Sequence, residues 1–285
     1  MHSNIPCRVC LMLLLLCWSL PVQAQIIDIV GSTTVKVLME PAVDAYKQIQ
    51  PDVIIHVGGG GSGVGAAAMI DDRASIGMMS REPEADEADR MQQRGIQRVR
   101  IAYDAIAVMV SGLLFHQYHI QALKVADIAE IYRGNIRNWQ ELGGPNRQIM
   151  VLDRVRHSGT HVTFANHVLG SGSQTIDPDA VTVESNTGIG TLLVASDQAI
   201  GYLPFGTVKN NRFHAVALIQ NSQSYQANAR NVLDGSYPLS RSLYVLYHKD
   251  APAYVHAFID YLQSAKAAPI IRRVGYIPVG AVSAK

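Results

Sequence analysis

Residues 151–164 of the chain read V-L-D-R-V-R-H-S-G-T-H-V-T-F, and the predicted architecture follows from this segment. Its apolar start predicts the end of a β-strand, and the residues after Ser158-Gly159-Thr160 predict a helix as far as Leu169. The N–H groups that open a helix have no partner within it, and the positive end of the helix dipole lies beside them. Such a turn can bind an anion, and Arg154 adds a planar guanidinium four residues before Ser158. The alternative is an ordinary helix cap beside a solvated arginine.

Two earlier turns have the same character. The first is Gly31-Ser32-Thr33-Thr34, which follows a short apolar strand (26–30) and precedes a helix with apolar residues on one face. The second is the glycine-rich stretch G-G-G-G-S-G-V-G (58–65), which follows a strand at 53–57 and precedes a short predicted helix at 66–70. So many glycines cost backbone entropy, which favours a ligand that approaches the backbone closely. Three such turns predict an α/β protein with free N–H groups at one sheet edge.

Nucleotide-binding and catalytic functions fit the same residues poorly. Gly58, Gly60 and Gly63 match the dinucleotide pattern G-x-G-x-x-G, but Ser80-Arg81 occupies the place of the expected acidic residue. Ser62 lies in G-G-S-G-V and therefore lacks the G-x-S-x-G elbow of a hydrolase. His157 and His161 have the spacing of metal ligands on a helix, yet no acidic third ligand is near. The sequence therefore predicts a binding protein without catalytic residues, metal or cofactor.

The other predicted elements divide the chain into two lobes. A strand at 75–79 ends at Ser80-Arg81, and a charged helix follows at 84–94. A long strand at 99–110, broken around Tyr103-Asp104, is predicted to pass from the first lobe into the second. Lobe 1 is predicted to comprise residues 25–104 and 236–285, and lobe 2 residues 105–235, with the ligand in the cleft between them. Further elements are predicted as helices at 125–132, 188–196 and 252–263, and strands at 199–203 and 243–247.

The first 24 residues have the pattern of a secretory signal peptide. Arg8 supplies the basic region, residues 9–20 are apolar, and Val22-Gln23-Ala24 resembles a cleavage site, so the mature chain is expected to begin at Gln25. The apolar run is too short for a membrane span. All three cysteines lie in this leader, so the exported protein is expected to contain no disulfide.

The charge of the mature chain excludes two classes of partner. The whole chain has 24 basic and 23 acidic residues, and removal of the leader with Arg8 leaves equal numbers. A net charge near zero does not fit a nucleic-acid or membrane-surface protein. An anion must therefore be held by local geometry.

Short stretches along nearly the whole mature chain carry a family resemblance. They are G-S-T-T-V (31–35), the G-x-G-S-G-x-G loop, I-G-x-x-S-R (76–81), I-A-Y-D-x-I-A-V (101–108), I-Y-R-G-x-I-x-N-W (131–139), R-x-x-x-S-G-T (154–160), A-I-G-Y (199–202), Y-P-L-S-R (237–241) and G-Y-x-P (275–278). In number and order these stretches resemble the phosphate-binding proteins of bacterial ABC importers, the PstS-like periplasmic binding proteins. The resemblance implies a type II binding-protein fold: two lobes, each a mixed sheet flanked by helices, with a buried oxyanion in the interlobe cleft. It also implies a monomeric periplasmic protein that delivers inorganic phosphate to an ABC permease complex in the inner membrane.

The resemblance also implies which residues bind the ligand. The first lobe would contribute its two hydroxyl turns and the end of the strand at 75–79, and the second lobe the turn at 154–160. Carried over position by position, the ligand-binding residues are Ser32, Thr33, Thr34, Ser62, Gly63, Ser80, Arg81, Arg154, Ser158, Gly159 and Thr160.

Three positions depart from the family pattern. Family members often have an acidic residue two positions after the arginine and a glycine before Ser-Gly-Thr, where this chain has Arg156 and His157. Another branch has an aspartate at the position of Arg81. An acidic group accepts the proton of hydrogen phosphate and repels sulfate, so another oxyanion such as sulfate remains an alternative ligand. Asp104 and Asp153 are the acids that could replace the missing ones. A phosphate-sensing or adhesion protein without a transporter is a further alternative, and a phosphatase is disfavoured.

Overall fold

The computed structural model describes residues 25–170, 176–207 and 212–281. The predicted signal peptide, residues 1–24, lies outside the described residues and stays a prediction. Within the described ranges, no helix is both long and apolar enough to cross a membrane.

The first segment of the chain brings three strand ends to one edge of a sheet. Strand β1 pairs in parallel with both β2 and β3, so all three strands end on the same side. A helix begins immediately after β1 and after β2, which places the two predicted turns next to each other. The elements are β1 (Gln25–Gly31), α1 (Thr33–Lys47), β2 (Val53–Gly60), α2 (Ser62–Ile70), β3 (Ile76–Met79) and α3 (Ala85–Gln93).

The predicted glycine loop is shorter than expected, because it belongs partly to a strand and partly to a helix. Residues Gly58 to Gly60 complete β2, and α2 begins at Ser62, four residues before its predicted start at 66. The reason is close packing of α2 on β3. A Cβ atom at Gly65 would lie 2.6 Å from the carbonyl oxygen of Met78, so only glycine allows this approach. Gly65 therefore serves helix–strand packing, whereas Gly61 and Gly63 approach His157 of the second lobe.

Strand β4 (Ile96–Ser111) is continuous, and the predicted break around Tyr103-Asp104 is wrong. Both residues are paired with β12 (Ser240–His248): Tyr103 lies opposite Ser242, and Asp104 opposite Arg241. The pairing with β12 is irregular only at the step between Leu243 and Tyr244. Because a partner strand extends past the expected break, the ladder of hydrogen bonds keeps β4 extended.

The middle of the chain forms the sheet beyond β4. Strand β8 pairs antiparallel with β4 and parallel with β6, and β6 pairs parallel with β7. A small separate sheet has the order β11-β10-β5. The elements are α4 (Gly112–His116), β5 (Ala122–Lys124), α5 (Val125–Tyr132), β6 (Met150–Arg154), α6 (Gly159–Val168), β7 (Val181–Val183), α7 (Asn186–Ala195), β8 (Ala199–Pro204), β9 (Phe213–Ala215), β10 (Ala217–Gln220), β11 (Gln223–Tyr225) and α8 (Ala229–Leu233).

The end of the chain returns to the first sheet. Strand β12 lies between β3 and β4 and is antiparallel to both. Two helices, α9 (Ala253–Gln263) and α10 (Ala268–Arg273), and the short strand β13 (Ile277–Pro278) then complete this half of the molecule. Along its main path the sheet has the order β2-β1-β3-β12-β4-β8-β6-β7, in the curled α/β arrangement of a two-lobed binding protein.

The buried apolar side chains form separate clusters on the two sides of this path. One cluster contains only residues between Ala105 and Leu239. The other two combine residues from the beginning of the chain with residues from Leu243 to Tyr276. This distribution agrees with a boundary at 104/105, but it groups Tyr237 and Leu239 with the second lobe although the predicted boundary at 235/236 assigns them to the first. The lobe boundaries remain a prediction.

Candidate functional site

Hydroxyl groups from both lobes meet at the sheet edge. The Oγ of Ser32, which caps α1, donates to the Oγ of Ser80 at 2.9 Å, and the backbone N–H of Ser80 donates to the Oγ of Ser62 at 3.0 Å. The Oγ1 atoms of Thr34 and Thr160 lie 3.2 Å apart. All five side chains are at most 2 % exposed. We call these five residues the hydroxyl cluster.

A buried ion pair adjoins the hydroxyl cluster. The guanidinium of Arg241 donates to Thr160 Oγ1 at 3.0 Å and to Thr34 Oγ1 at 3.2 Å. Its Nε and Nη2 atoms also donate to Asp104 Oδ2, at 2.9 and 2.8 Å. Arg241 therefore presents one edge to the hydroxyls of both lobes and another to a carboxylate, which fixes its orientation.

Arg154 reaches the cluster from the second lobe and is 1 % exposed. Its Nη2 atom donates to the carbonyl oxygen of Glu184 at 2.8 Å and lies 3.5 Å from Thr33 Oγ1. Its Nη1 atom donates to Oδ1 of Asn186, whose Nδ2 donates in turn to Thr34 Oγ1 at 3.1 Å. The side chain thus extends from β6 to the start of α7 and across the cleft to α1.

The electrostatics of the site favour a bound anion. Two buried guanidiniums, Arg154 and Arg241, converge on the site, where Asp104 pairs directly with Arg241 and the charges of Asp153 and Glu184 act on Arg154. Burial lowers the pKa of Arg154 to about 10, and the nearby Arg241 charge acts in the same direction. Burial also raises the pKa of Asp104, and the Arg241 charge opposes that rise. An anion between the two guanidiniums would compensate the charge that burial makes costly.

The second-lobe turn has the predicted helix-cap geometry. Ser158 caps α6, and its Oγ accepts a hydrogen bond from the N–H of Thr160 at 3.3 Å. The N–H of Gly63, in the first turn of α2, donates across the cleft to the carbonyl oxygen of His157 at 3.2 Å. The starts of α1, α2 and α6 therefore converge on one place, and nine of the predicted site residues lie in or beside the hydroxyl cluster with Arg154.

Arg81 is placed differently from the other predicted site residues. Its guanidinium donates to Glu87 Oε1 at 2.7 Å and to the carbonyl oxygen of Glu82 at 3.0 Å. Glu82 precedes α3 and Glu87 lies within it. The carboxylate of Glu87 largely neutralises the positive charge of Arg81. Its role in ligand binding stays a prediction.

The residues that depart from the family pattern also have defined positions. Arg156 is exposed, although Arg154 two residues earlier is buried, because β6 ends at Arg154 and the chain then turns, with the N–H of Ser158 donating to the carbonyl oxygen of Val155 at 2.9 Å. Oδ1 of Asp153 accepts a hydrogen bond from the hydroxyl of Tyr202 and lies 3.1 Å from Nδ1 of His161. Of the two acids considered as substitutes, Asp104 thus adjoins the site through Arg241, whereas Asp153 belongs to the interior of the second lobe.

Sequence reasoning missed Arg241 and Asn186. Arg241 ends the stretch Y-P-L-S-R, which carried part of the family resemblance without a role for its arginine. A charged residue at the start of a strongly apolar strand was the available signal. Asn186 lay outside the predicted helix 188–196, whereas α7 begins at Asn186 itself. Its position beside Arg154 depends on tertiary packing and leaves no mark in the local sequence.

Gly159 lies at a close approach between the two lobes. A Cβ atom there would come within 2.6 Å of the Oγ of Ser80 and would also collide with the Oγ of Ser62. Both hydroxyls belong to the first lobe, and Gly159 opens α6 in the second. Glycine is therefore required for this closed arrangement and not for the helix itself.

We expect Gly159→Ala to weaken anion binding by roughly 1–3 kcal/mol, about 5- to 150-fold, because overpacking opposes closure of the lobes. Calorimetry with phosphate measures the affinity, and small-angle scattering measures whether the ligand still reduces the radius of gyration. Gly190→Ala is the matched control, because a Cβ atom at Gly190 meets other atoms only at 3.9 Å or beyond. Equal affinity in both variants would show that Gly159 does not limit closure.

The sequence disfavoured His157 and His161 as metal ligands for lack of a nearby acid, but the carboxylate of Asp153 lies 3.1 Å from Nδ1 of His161. Among the described residues, no group of three or more His, Cys, Asp or Glu side chains is arranged to hold a metal ion. The geometry defines instead a two-lobed protein with a desolvated, positively charged site at helix N-termini, which is the arrangement of an anion-binding protein.

Comparison with known proteins places the chain in a family. Residues 21–266 match the PBP superfamily domain, and the chain belongs to the PBP superfamily. A relative from Bacillus subtilis, phosphate-binding protein PstS, is 26% identical over 254 residues, which cover 89% of this chain and 80% of that protein.

Two crystal structures have the same fold. A Clostridium perfringens protein with bound phosphate, described as a phosphate ABC transporter substrate-binding protein, has a TM-score of 0.81 and 30% identity. The match covers 90% of this chain and all of that chain (100%). An ABC-type phosphate transport receptor from Vibrio cholerae has a TM-score of 0.71 and 28% identity, over 88% of this chain and 99% of that chain. The predicted fold class and family resemblance are thus confirmed.

Proposed function

We propose that this chain is an exported solute-binding protein that captures inorganic phosphate for an ABC importer. The observation that carries the proposal is the convergence of two buried guanidiniums, Arg154 and Arg241, on the hydroxyl cluster of both lobes. Guanidinium forks and helix N-termini are suited to phosphate oxygens. The named functions of the relatives from Bacillus subtilis and Vibrio cholerae point to the same ligand.

The proposed binding residues come from both lobes. Lobe 1 contributes donors at the starts of α1 and α2, at the end of β3 and on β12, and lobe 2 contributes donors on β6 and at the starts of α6 and α7. Neither lobe alone surrounds a tetrahedral anion, so binding and closure are coupled. The proposed set is Ser32, Thr33, Thr34, Ser62, Gly63, Ser80, Arg154, Ser158, Gly159, Thr160, Asn186 and Arg241, with Arg81 as a neighbour at the β3 end.

The proposal includes the predicted location and partners. The protein would act as a monomer in the periplasm after removal of its leader and would deliver phosphate to a permease complex in the inner membrane. We propose no enzymatic activity. A seryl nucleophile needs a base within hydrogen-bond reach, and in the described structure the cluster hydroxyls contact one another, backbone groups, an amide and guanidiniums. A sensing or adhesion role without a permease is distinguished by co-purification with the permease subunits.

Titration calorimetry of extensively dialysed protein tests the ligand. We expect phosphate to bind one per chain with a dissociation constant of about 1 μM or below, equivalent to about 8 kcal/mol. Arsenate and sulfate are titrated in parallel, because Arg156 and Arg81 occupy positions where a proton-accepting acid would reject sulfate. Mass spectrometry of the anion released on denaturation identifies the natural ligand. If only sulfate gives saturable heat, the ligand is sulfate and not phosphate. If none of the three anions gives heat, the proposal is refuted.

A further inference from the structure

The interlobe cleft continues beyond the anion site as a cavity of about 670 Å³. Its walls are α1 of the first lobe and α7 of the second, and its floor includes Leu203 and Phe213. Thr33 and Asn186 line the cavity and also contact the anion site, so the two spaces share a boundary. A single phosphate ion occupies only a small part of such a volume.

The boundary between the two spaces is thin. It includes the 3.5 Å contact between Arg154 Nη2 and Thr33 Oγ1 and the 3.1 Å hydrogen bond from Asn186 to Thr34. The Arg154–Thr33 distance is at the limit of a hydrogen bond, so separating these atoms costs little. A substituent on the anion could therefore leave the site beside Thr33 at the cost of this weak contact.

The chemistry of the cavity suits a mainly apolar substituent. Val37, Val194, Leu203 and Phe213 give it apolar walls, and hydroxyl-bearing residues such as Ser185 and Thr187 lie at the α7 side. Lys36 is present but lies 3.6 Å from Glu40, so its charge is partly balanced. The cavity thus combines an apolar surface with hydroxyl, amide and charged groups around it, which can accommodate a substituent with an apolar body.

The other large cavity at the cleft has a different character. It has a volume of about 520 Å³, and its charged lining residues include Glu82 and Glu84 as well as Arg81 and Arg241. It meets the anion site at Arg241, whose guanidinium donates to Asp104 at 2.8 Å and to Thr160 at 3.0 Å, so a substituent that left on this side would break charge-assisted hydrogen bonds. The cavity between α1 and α7 is therefore the favoured exit for a substituent.

We propose that the site also accepts monosubstituted phosphoryl compounds, namely phosphonates and phosphate monoesters, with the substituent in the cavity between α1 and α7. The phosphoryl group keeps the dianionic charge that Arg154 and Arg241 compensate, and the substituent passes beside Thr33. This inference rests on the proposed function, because it uses the same anion site.

Calorimetry with phenylphosphonate and inorganic phosphate tests the inference. For the unaltered protein we expect phenylphosphonate to bind within about tenfold of phosphate, and to give no heat when phosphate already saturates the site, because both use the same donors. If phosphate binds and phenylphosphonate does not, the inference is wrong and the proposed function stands. If neither binds, the proposed function fails as well.

Variants that fill the cavity locate the substituent. Gly190 lines the cavity, and a side chain added there first meets Phe213 and Leu203 at about 4 Å, so Gly190→Leu adds bulk without a backbone clash. We expect Gly190→Leu to lower the affinity for phenylphosphonate at least ~10-fold and to leave the affinity for phosphate unchanged. Ala195→Leu is the control, because Ala195 is exposed on the same helix and does not line the cavity.

Val194→Phe is a second variant that fills the cavity, and it keeps the test valid if Gly190→Leu disturbs the local fold. Equal phenylphosphonate affinity in Gly190→Leu, Val194→Phe and Ala195→Leu would show that the substituent lies elsewhere and would overturn the inference. Loss of phosphate binding in both filling variants would overturn it too, because the cavity would then not be separable from the anion site.

Discussion

Replacing Arg154 by alanine is expected to weaken phosphate binding at least ~100-fold, about 3 kcal/mol. The guanidinium is 1 % exposed and forms charge-assisted contacts in a site from which water is excluded. Without it, a bound dianion would face Arg241 alone, and that residue is already paired with Asp104 at 2.8 Å. Calorimetry with phosphate, supported by thermal unfolding to confirm the fold, measures the effect.

Arg156→Ala is the matched control for this experiment. Arg156 lies two residues away in the same segment and is exposed, so its loss should change phosphate affinity less than about threefold, as is usual for a screened surface charge. Arg156→Asp in addition tests whether an acid at this position restores discrimination against sulfate. Equal phosphate affinity in Arg154→Ala and Arg156→Ala would show that the second-lobe site has been placed wrongly.

Replacing Arg241 by methionine is expected to damage stability as well as binding. The substitution removes donors to Thr34 and Thr160 and leaves the buried carboxylate of Asp104 without its partner. An unpaired buried charge typically costs about 3–5 kcal/mol in the free energy of unfolding. Denaturant unfolding in phosphate-free buffer measures this loss, and calorimetry measures the loss of binding.

The double variant Asp104→Asn, Arg241→Met separates the two roles of Arg241. Because it removes both charges of the pair, we expect it to recover most of the stability that Arg241→Met loses. It should not recover phosphate binding, because the guanidinium is still missing. Recovery of binding together with stability would mean that Arg241 only supports the fold and does not bind the anion.

The fold was largely predictable because local signals agreed with the tertiary structure. The sequence shows apolar strands that end in glycine or hydroxyl turns and are followed by amphipathic helices. This pattern predicted the positions of β1, β2 and β3 and of the helices after them. The errors arose where packing between elements overrides local preference. Glycines at 58–65 indicated a loop, but Gly65 allows α2 to pack against β3. The pairing with β12 keeps β4 continuous through Tyr103 and Asp104.

The candidate site was predictable only where its residues belong to a turn. The starts of α1, α2 and α6 carry their own sequence pattern, so their hydroxyl residues and Arg154 could be identified. Arg241 lies far from these turns in the sequence and joins them only because β12 pairs with β3 and β4. Such long-range pairing of strands has no local signal, and the same holds for Asn186 at the start of α7.

The position of β12 also has a consequence for how the protein acquires its structure. Residues 240–248 form the strand that separates β3 from β4, so the first sheet lacks its central member until nearly the whole chain has been synthesised. Contacts between residues so distant in sequence slow folding, because a long loop must close before they form. A nascent chain that ends before residue 240 would leave the edges of β3 and β4 open to aggregation. The second half, whose core lies between Ala105 and Leu239, can form earlier and act as the template on which the first half is completed.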